Sequence, residues 1–355
     1  MLTMKKLAEQ SGAVPSQIAW YIADLAESRG KQELFIRQSP QRLKILREHA
    51  IIESAVSSNR IEGVEVEKGR IGTIIFGKPT LRDRNEEEVS GYREALNLIH
   101  ARGSSLPISE ETILLLHRMS RGGSGDAGQL KEKNGEIIEK SSNGRSRVRF
   151  KPLSAAQTPG AIRELVRLWE SGISEKAVHP MILLAAFNLD FLCIHPFRDG
   201  NGRVSRLLLL TQCYHLGIEV GRYISLERLI EQNKERYYEV LEDSSRGWHE
   251  GIHDPWPYIG FLLYILKSAY KEFEERVDKI KGPRGEKTDM AIRAIAAEAA
   301  SFSVSDIQRK CPGVSLDTIR MVLKALRKRG KIECLGRGQN AKWQKTKSWD
   351  IDNTH

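Results

Sequence analysis

The chain has 355 residues, enough for one large core and a smaller second domain. With 40% hydrophobic and 29% charged residues it has the composition of a soluble protein, and its longest apolar stretches, near Met181–Ile194 and Leu207–Leu210, are shorter than the roughly 18 residues that cross a bilayer. Four cysteines (Cys193, Cys213, Cys311, Cys334) without Cys-x-x-Cys spacing argue against a disulfide framework and a zinc site. The segment from Met1 to Gln10 is charged and has no apolar run, so a cytoplasmic protein with no membrane partner is expected. The net charge of +10 is concentrated at one end: residues 281–355 hold 16 Lys and Arg against 8 Asp and Glu.

In chain order, apolar residues recur at three- and four-residue spacing, which predicts a mainly helical fold. Ser39 before Pro40 opens a helix carrying Leu43, Leu46, Ile52 and Val56. Asn85 to Glu88 start a second helix with their acids at the favourable end of its dipole, and Ser109-Glu110-Glu111 start a third. Between Gly128 and Pro152 the pattern changes: Asn134-Gly135 and Asn143-Gly144 flank short extended runs at Ile137-Ile138 and Val148–Phe150, which predicts a β-hairpin flap over about 128–152. Thr158-Pro159 open another helix, Met181–Ile194 reads as a buried central helix, and a second central helix is expected from about Arg203 to His215. A long helix from Trp256 to Lys279 stops at Lys281-Gly282-Pro283. Beyond it, Ser303 and Ser315 each look like a helix N-cap, a Cys311-Pro312-Gly313 turn lies between them, and Lys331–Trp343 could form a hairpin. These parts make a winged helix-turn-helix.

Between the two central helices lies the segment with chemistry in it. His195 stands at the mouth of the loop, where a neutral imidazole can take a proton from a hydroxyl group. Gly200, Asn201 and Gly202 let the backbone approach a ligand closely, and the helix that follows points its unpaired N–H groups into the loop as a phosphate site. Arg203 and Arg206, three residues apart on one face, can reach further phosphate oxygens. Asp199 is the loop's one carboxylate and suits Mg²⁺ shared with those phosphates. Phe197 reads as an inward anchor.

The pattern His195-x-Phe197-x-Asp199-Gly200-Asn201-Gly202-Arg203-x-x-Arg206 resembles the active-site motif of Fic-domain proteins at every defined position. The resemblance implies a Fic helical core with a flap, and transfer of AMP from ATP to Tyr, Thr or Ser hydroxyls of a target protein, with self-modification included. It makes His195 the base, Asp199 the Mg²⁺ ligand, and Asn201 with the Gly200–Gly202 backbone the cradle of the α-phosphate. Arg203 and Arg206 would hold the outer phosphates, and Arg198 joins the nucleotide-binding set. Doc toxins, which carry Asn-Lys where this chain has Gly202-Arg203, transfer the γ-phosphate instead.

Upstream, Ser58-Asn59-Arg60-Ile61-Glu62-Gly63 resembles the family's inhibitory motif, in which Glu62 would pair with Arg206 in place of the γ-phosphate. Tyr237 and Tyr238 match a tyrosine pair that lines the nucleotide pocket in relatives, with core packing as the other reading. Flap residues near Ile137-Ile138 would align a target segment. The basic flap residues Lys133, Lys140, Arg145, Arg147 and Arg149 leave the target's identity open.

The resulting layout is an N-terminal helical region over 1–84, a catalytic core over 85–281, a winged helix over 282–347 and a tail over 348–355. The winged helix, within 303–343 and carrying Lys324, Arg327, Lys328, Arg329, Arg337 and Lys342, could bind DNA or serve docking or dimerisation. Two rival functions follow: a DNA-binding regulator, and removal of AMP by the same site with Glu62 positioning water.

Overall fold

The structure, a computed structural model, describes residues 2–9, 13–38, 40–77, 80–140, 146–279, 285–298, 300–311, 313–336, 341–346 and 348–349. Ser39, Asn143, Gly144, Arg145, the Lys281–Arg284 break, Pro312 and Arg337, all used in reading the sequence, lie outside these residues, as does the side chain of Lys140. The chain divides into two compact units, one of Met1–Glu27 with Leu46–Phe273 and one of Ser28–Ile45 with Glu274–His355.

The larger unit is built around the helices Pro180–Ile194 and Asn201–His215. Every residue from Met181 to Ile194 is buried, as expected for a helix that is apolar all round. Around this pair pack the helices Arg84–Arg102, Glu110–Ser120 and Thr158–Glu175. Two starts differ from expectation. The helix at Asn85 begins at Arg84 because Asp83 accepts the N–H of Glu86, and the second central helix begins at Asn201 rather than near Arg203; Thr158 opens its helix as expected. The flap is an antiparallel pair, Ile137–Lys140 with Ser146–Phe150, with a register irregularity between Ile137 and Ile138.

Polar groups inside the core are tied down. Asp190 is fully buried in the first central helix; its two carboxylate oxygens accept the N–H groups of Thr3 and Met4 at 3.1 Å each, and Oδ1 also accepts Trp248 Nε1 at 2.6 Å. Such bonds offset much of the cost of burying a polar side chain. The short helix Leu2–Glu9 is thereby capped by the core.

The smaller unit contains the helices Glu286–Ala296, Val304–Lys310 and Leu316–Lys328 and a three-stranded sheet, with Lys342–Lys345 between Phe302–Ser303 and Ile332–Cys334. Ser303 forms a full capping box with Asp306, and Ser315 accepts the N–H of Thr318. The hairpin expected over Lys331–Trp343 is present and runs on to Lys345; the third strand, Phe302–Ser303, is two residues long and was not expected. Ile307, Ile319, Val322, Leu323 and Leu326 form the centre of this unit's own core.

Gly91 is where Arg84–Arg102 and Glu110–Ser120 come closest. A Cβ there would stand 1.9 Å from the Met119 carbonyl oxygen, so Gly91→Ala forces two backbones apart. The expected cost is about 1–3 kcal/mol, read as a lower denaturant midpoint; an unchanged midpoint would show that the helices are not in this contact.

Candidate active site

The first central helix ends because His195 precedes a proline, which disfavours continued helical backbone. His195 turns into the left-handed region, φ 50° and ψ 63°, while its N–H still bonds to Phe191 O. That turn brings the imidazole to the wall of a cavity of about 710 Å³. Glu62, Gly202, Tyr237, Tyr238 and the flap residues Ile137, Ile138 and Arg149 also line it. The ring is desolvated, and its Nδ1 is buried without a hydrogen-bond partner. Burial, followed by the nearby Lys131 charge, pulls the imidazole down to about 4, so it is neutral at pH 7.

The motif loop is stapled from inside. Asn201 Oδ1 accepts the Phe197 N–H at 2.9 Å, and Asn201 Nδ2 donates to Phe197 O at 2.8 Å. Its side chain, expected beside the α-phosphate, therefore serves to shape the loop. Phe197 is buried and stacks on His117, with ring centroids 3.7 Å apart and planes 5° from parallel. His117 accepts the Gly128 N–H at Nδ1, so Nε2 carries the proton and donates to Asp199 O at 3.0 Å. Gly200, with φ 84°, then opens the helix Asn201–His215, whose first N–H groups have no partner within the helix.

Glu62 stands against that positive helix end. Its Oε1 lies 2.1 Å from where a Cβ on Gly202 would be, so only glycine permits the approach. The same oxygen accepts Arg206 Nη2 at 2.9 Å. Arg206 is buried and donates further to Ser58, from Nε to the hydroxyl and from Nη2 to the carbonyl, at 2.8 Å each, while Nη1 is unpaired. Burial is the largest influence and opposes its charge, but Glu62 together with Tyr92 and Tyr237 raises its pKa above the usual arginine value. The helix Pro40–Ile61 ends beside Glu62, and Gly63 follows in the left-handed region at φ 79°. The resembled inhibitory segment and the motif arginine thus meet.

Other expected residues are placed differently. Neither Arg203 nor Arg206 lines the cavity; Arg206 reaches its wall through Glu62, and Arg203 is held elsewhere. It is 1% exposed, because Glu88 captures its Nη1 at 2.6 Å and Asn59 Oδ1 lies 3.2 Å from the same atom. Glu88 also accepts Arg121 at 2.6 Å and Arg84 at 3.0 Å. Asp199 is half exposed and takes Arg121 at 2.7 Å and Arg84 at 3.1 Å. Burial pushes its carboxyl upward, yet Arg121, Arg203 and Arg84 together hold it below the usual range. Arg198 is exposed. Tyr237 is buried among Tyr238, Tyr258 and Phe261 and still reaches the cavity wall, so packing and lining both apply; Tyr238 lies under the Arg149 guanidinium, 5.0 Å from its ring centre.

Among the described residues no group of three or more His, Cys, Asp or Glu forms a metal cage. A single half-exposed carboxylate is nevertheless what Mg²⁺ needs when phosphates and water supply its other oxygens, so Asp199 fits as a lone protein ligand.

The sequence profile of the Fic/DOC family matches residues 107–213, which hold His117, Lys131, the flap and the whole motif. The chain carries a Fic domain. Over 107 residues it is 30% identical to a protein adenylyltransferase Fic of Aedes aegypti, a match that takes in 29% of this chain and 19% of that one. The chain thus spans about a fifth of the length of that curated relative. A Fic family protein from Desulfovibrio desulfuricans G20 superposes with a TM-score of 0.61 at 21% identity, covering 96% of this chain and 98% of the other. A Fic domain containing signaling protein from Bacteroides thetaiotaomicron VPI-5482 gives 0.60 at 19% identity, over 73% of this chain and 99% of its own. Fic-1 of C. elegans gives 0.56 at 20% identity, over 73% and 72%. These likenesses establish the Fic fold.

Lys131, His117 and Arg121 were not singled out in the sequence, and Glu88 was read only as an acid at a helix start, although each is bound to the motif loop or its arginines. Glu88 left one trace, a charge one helical turn before Tyr92 on the buried stripe. Glu88→Ala should lower stability by about 3–5 kcal/mol, because it takes the 2.6 Å partner from the buried Arg203 and leaves it only Asp199 at 3.7 Å. A denaturant melt shifted by less than about 1 kcal/mol would mean that another group carries that charge.

Proposed function

We propose that the chain transfers AMP from ATP to hydroxyl groups of a target protein, and that Glu62 restrains the reaction. The observation behind this reading is the joining of three features at one cavity: a neutral histidine, an open helix N-terminus at Gly202, and Glu62, an acid from another segment that pairs with the buried Arg206 behind the wall. His195 takes the hydroxyl proton as the hydroxyl oxygen bonds to the α-phosphorus. The bond from that phosphorus to the bridging oxygen breaks, and pyrophosphate leaves with the electron pair. The N–H groups opening the helix Asn201–His215 receive the charge that grows on the α-phosphate oxygens. When bound at Asp199, Mg²⁺ supplies further neutralisation of the phosphates.

Glu62 and a terminal phosphate have the same claim on Arg206, since each is an anion that accepts from a guanidinium at a helix end. While Glu62 holds Arg206, ATP can enter only in a pose that leaves its outer phosphate without that partner. Loss of Glu62 frees the arginine. Removal of AMP is the rival use of the same groups, with Glu62 orienting water; the direct Glu62–Arg206 bond favours the restraining role.

For the smaller unit we propose DNA as partner. Arg320, Lys324 and Lys328 recur at four-residue spacing on the exposed side of the helix Leu316–Lys328, a basic stripe suited to phosphates. Among the described residues no helix is long and apolar enough to cross a membrane, and we place the protein in the cytoplasm.

With ATP labelled at the α-phosphate, Glu62→Gly should label itself or a lysate target at least about tenfold more than the unaltered chain, and His195→Ala in that background should not label. Equal labelling with and without Glu62 removes the restraint, and label arriving only from the γ-phosphate removes AMP transfer. The free-enzyme pH profile of kcat/KM gives a separate check. Because burial holds His195 near 4, kcat/KM of Glu62→Gly should be flat on the acid side from pH 7.5 down to about 5.5. A half-fall near the ordinary histidine value of 6.5 would contradict a desolvated base.

A further inference from the structure

Lys131 has no role in the mechanism above, yet its hydrogen bonds all run to the start of the motif loop. Its backbone N–H donates to Pro196 O at 2.9 Å, and its ammonium donates to Ile194 O at 2.9 Å and to His195 O at 2.8 Å. Three successive carbonyls of the turn carrying His195 are therefore held by one residue. A cation at a helix C-terminus is common, and alone it would be only a cap. This cap is unusual in the residue that makes the turn. His195 occupies a left-handed backbone where glycine would be unstrained, and it does so in a position that sends a side chain to the cavity.

We propose that Lys131 is the positioning residue for the histidine base: it locks His195 in the left-handed turn that presents the imidazole to the cavity, and it keeps a positive charge beside the ring. The proposal rests on the AMP-transfer reading. Burying the ammonium is itself unfavourable, and burial brings Lys131 down to about 8. A methionine could fill the same space without that cost, so packing alone does not account for the lysine. Next to burial, Lys131 is the largest influence holding the imidazole in its neutral form; the Leu192 carbonyl, Glu62 and Asp199 act in the other direction. An imidazole that is neutral and fixed in direction is what proton abstraction from a hydroxyl requires.

The test compares Lys131→Met and Lys131→Arg in the Glu62→Gly background, with Lys131→Gln, a neutral donor, used if the Met form does not fold. Lys131→Met should lower kcat by about tenfold or more while KM for ATP stays within about twofold, and Lys131→Arg should recover most of the loss. The reactivity of His195 toward diethyl pyrocarbonate, followed by mass spectrometry across pH, should show its midpoint moved upward in the Met and Gln forms. An unchanged kcat overturns the proposal, and so does a fall that appears equally in ATP affinity and is not restored by arginine. If the Glu62→Gly parent transfers no AMP, the functional reading fails by itself. The carbethoxylation then decides on Lys131, and an unmoved midpoint with unchanged reactivity overturns it.

Discussion

A buried guanidinium must have an anion, and in this protein that requirement ties the Ser58–Gly63 segment to the motif helix. Arg206 is almost fully enclosed, and among the described residues Glu62 supplies the one carboxylate paired with it, on the side where the helix Asn201–His215 opens. Charge-assisted bonds of this kind are strong because the pocket is poor in water. The same shortage of water makes an arginine without its partner costly. On the proposed reading such a site has two occupants, the chain's own acid and a phosphate, each an anion able to accept from Arg206.

The rigidity around that site comes from polar groups that touch no ligand. Asn201 closes the loop on Phe197, His117 stacks under it and bonds to Asp199 O, and the Glu88 carboxylate gathers Arg203, Arg121 and Arg84. Such supports hold catalytic groups within a fraction of an ångström only when their own hydrogen bonds are complete, and here most of them are. The flap is the contrasting side of the cavity. Ile138 and Val148 face solvent at 55% and 53% exposure, on a short hairpin tied to the core by Arg147 and Arg149 at Glu242. The tied-down side chains are concentrated at the motif loop and the exposed apolar ones on the flap.

Much of this was legible in the sequence because it is local. The apolar run before His195 predicts burial from composition alone, Gly200–Gly202 mark the helix start, and the turn chemistry around the flap sets a hairpin apart from its helical surroundings. The pairing of Glu62 with Arg206 spans 144 positions and was readable only through the resemblance of two motifs. What escaped depends on tertiary neighbours. Arg203 and Arg206 share a face by spacing, and nothing nearby in the chain tells that Glu88 will bury one of them. Asn201 has the chemistry to meet a phosphate, but its side chain is used four residues back, at Phe197. Lys131 lies in a stretch without periodicity, so its grip on the turn at His195 leaves no pattern.

Competition for Arg206 can be measured without any turnover. Titration calorimetry of ATP and of ADP against the unaltered chain and against Glu62→Gly isolates the contribution of the outermost phosphate. If Glu62 occupies that phosphate's place, removing it should strengthen ATP binding relative to ADP by about tenfold, the scale of one charge-assisted contact. An ATP-to-ADP affinity ratio that is the same in both proteins would show that the carboxylate and the phosphate do not share the arginine.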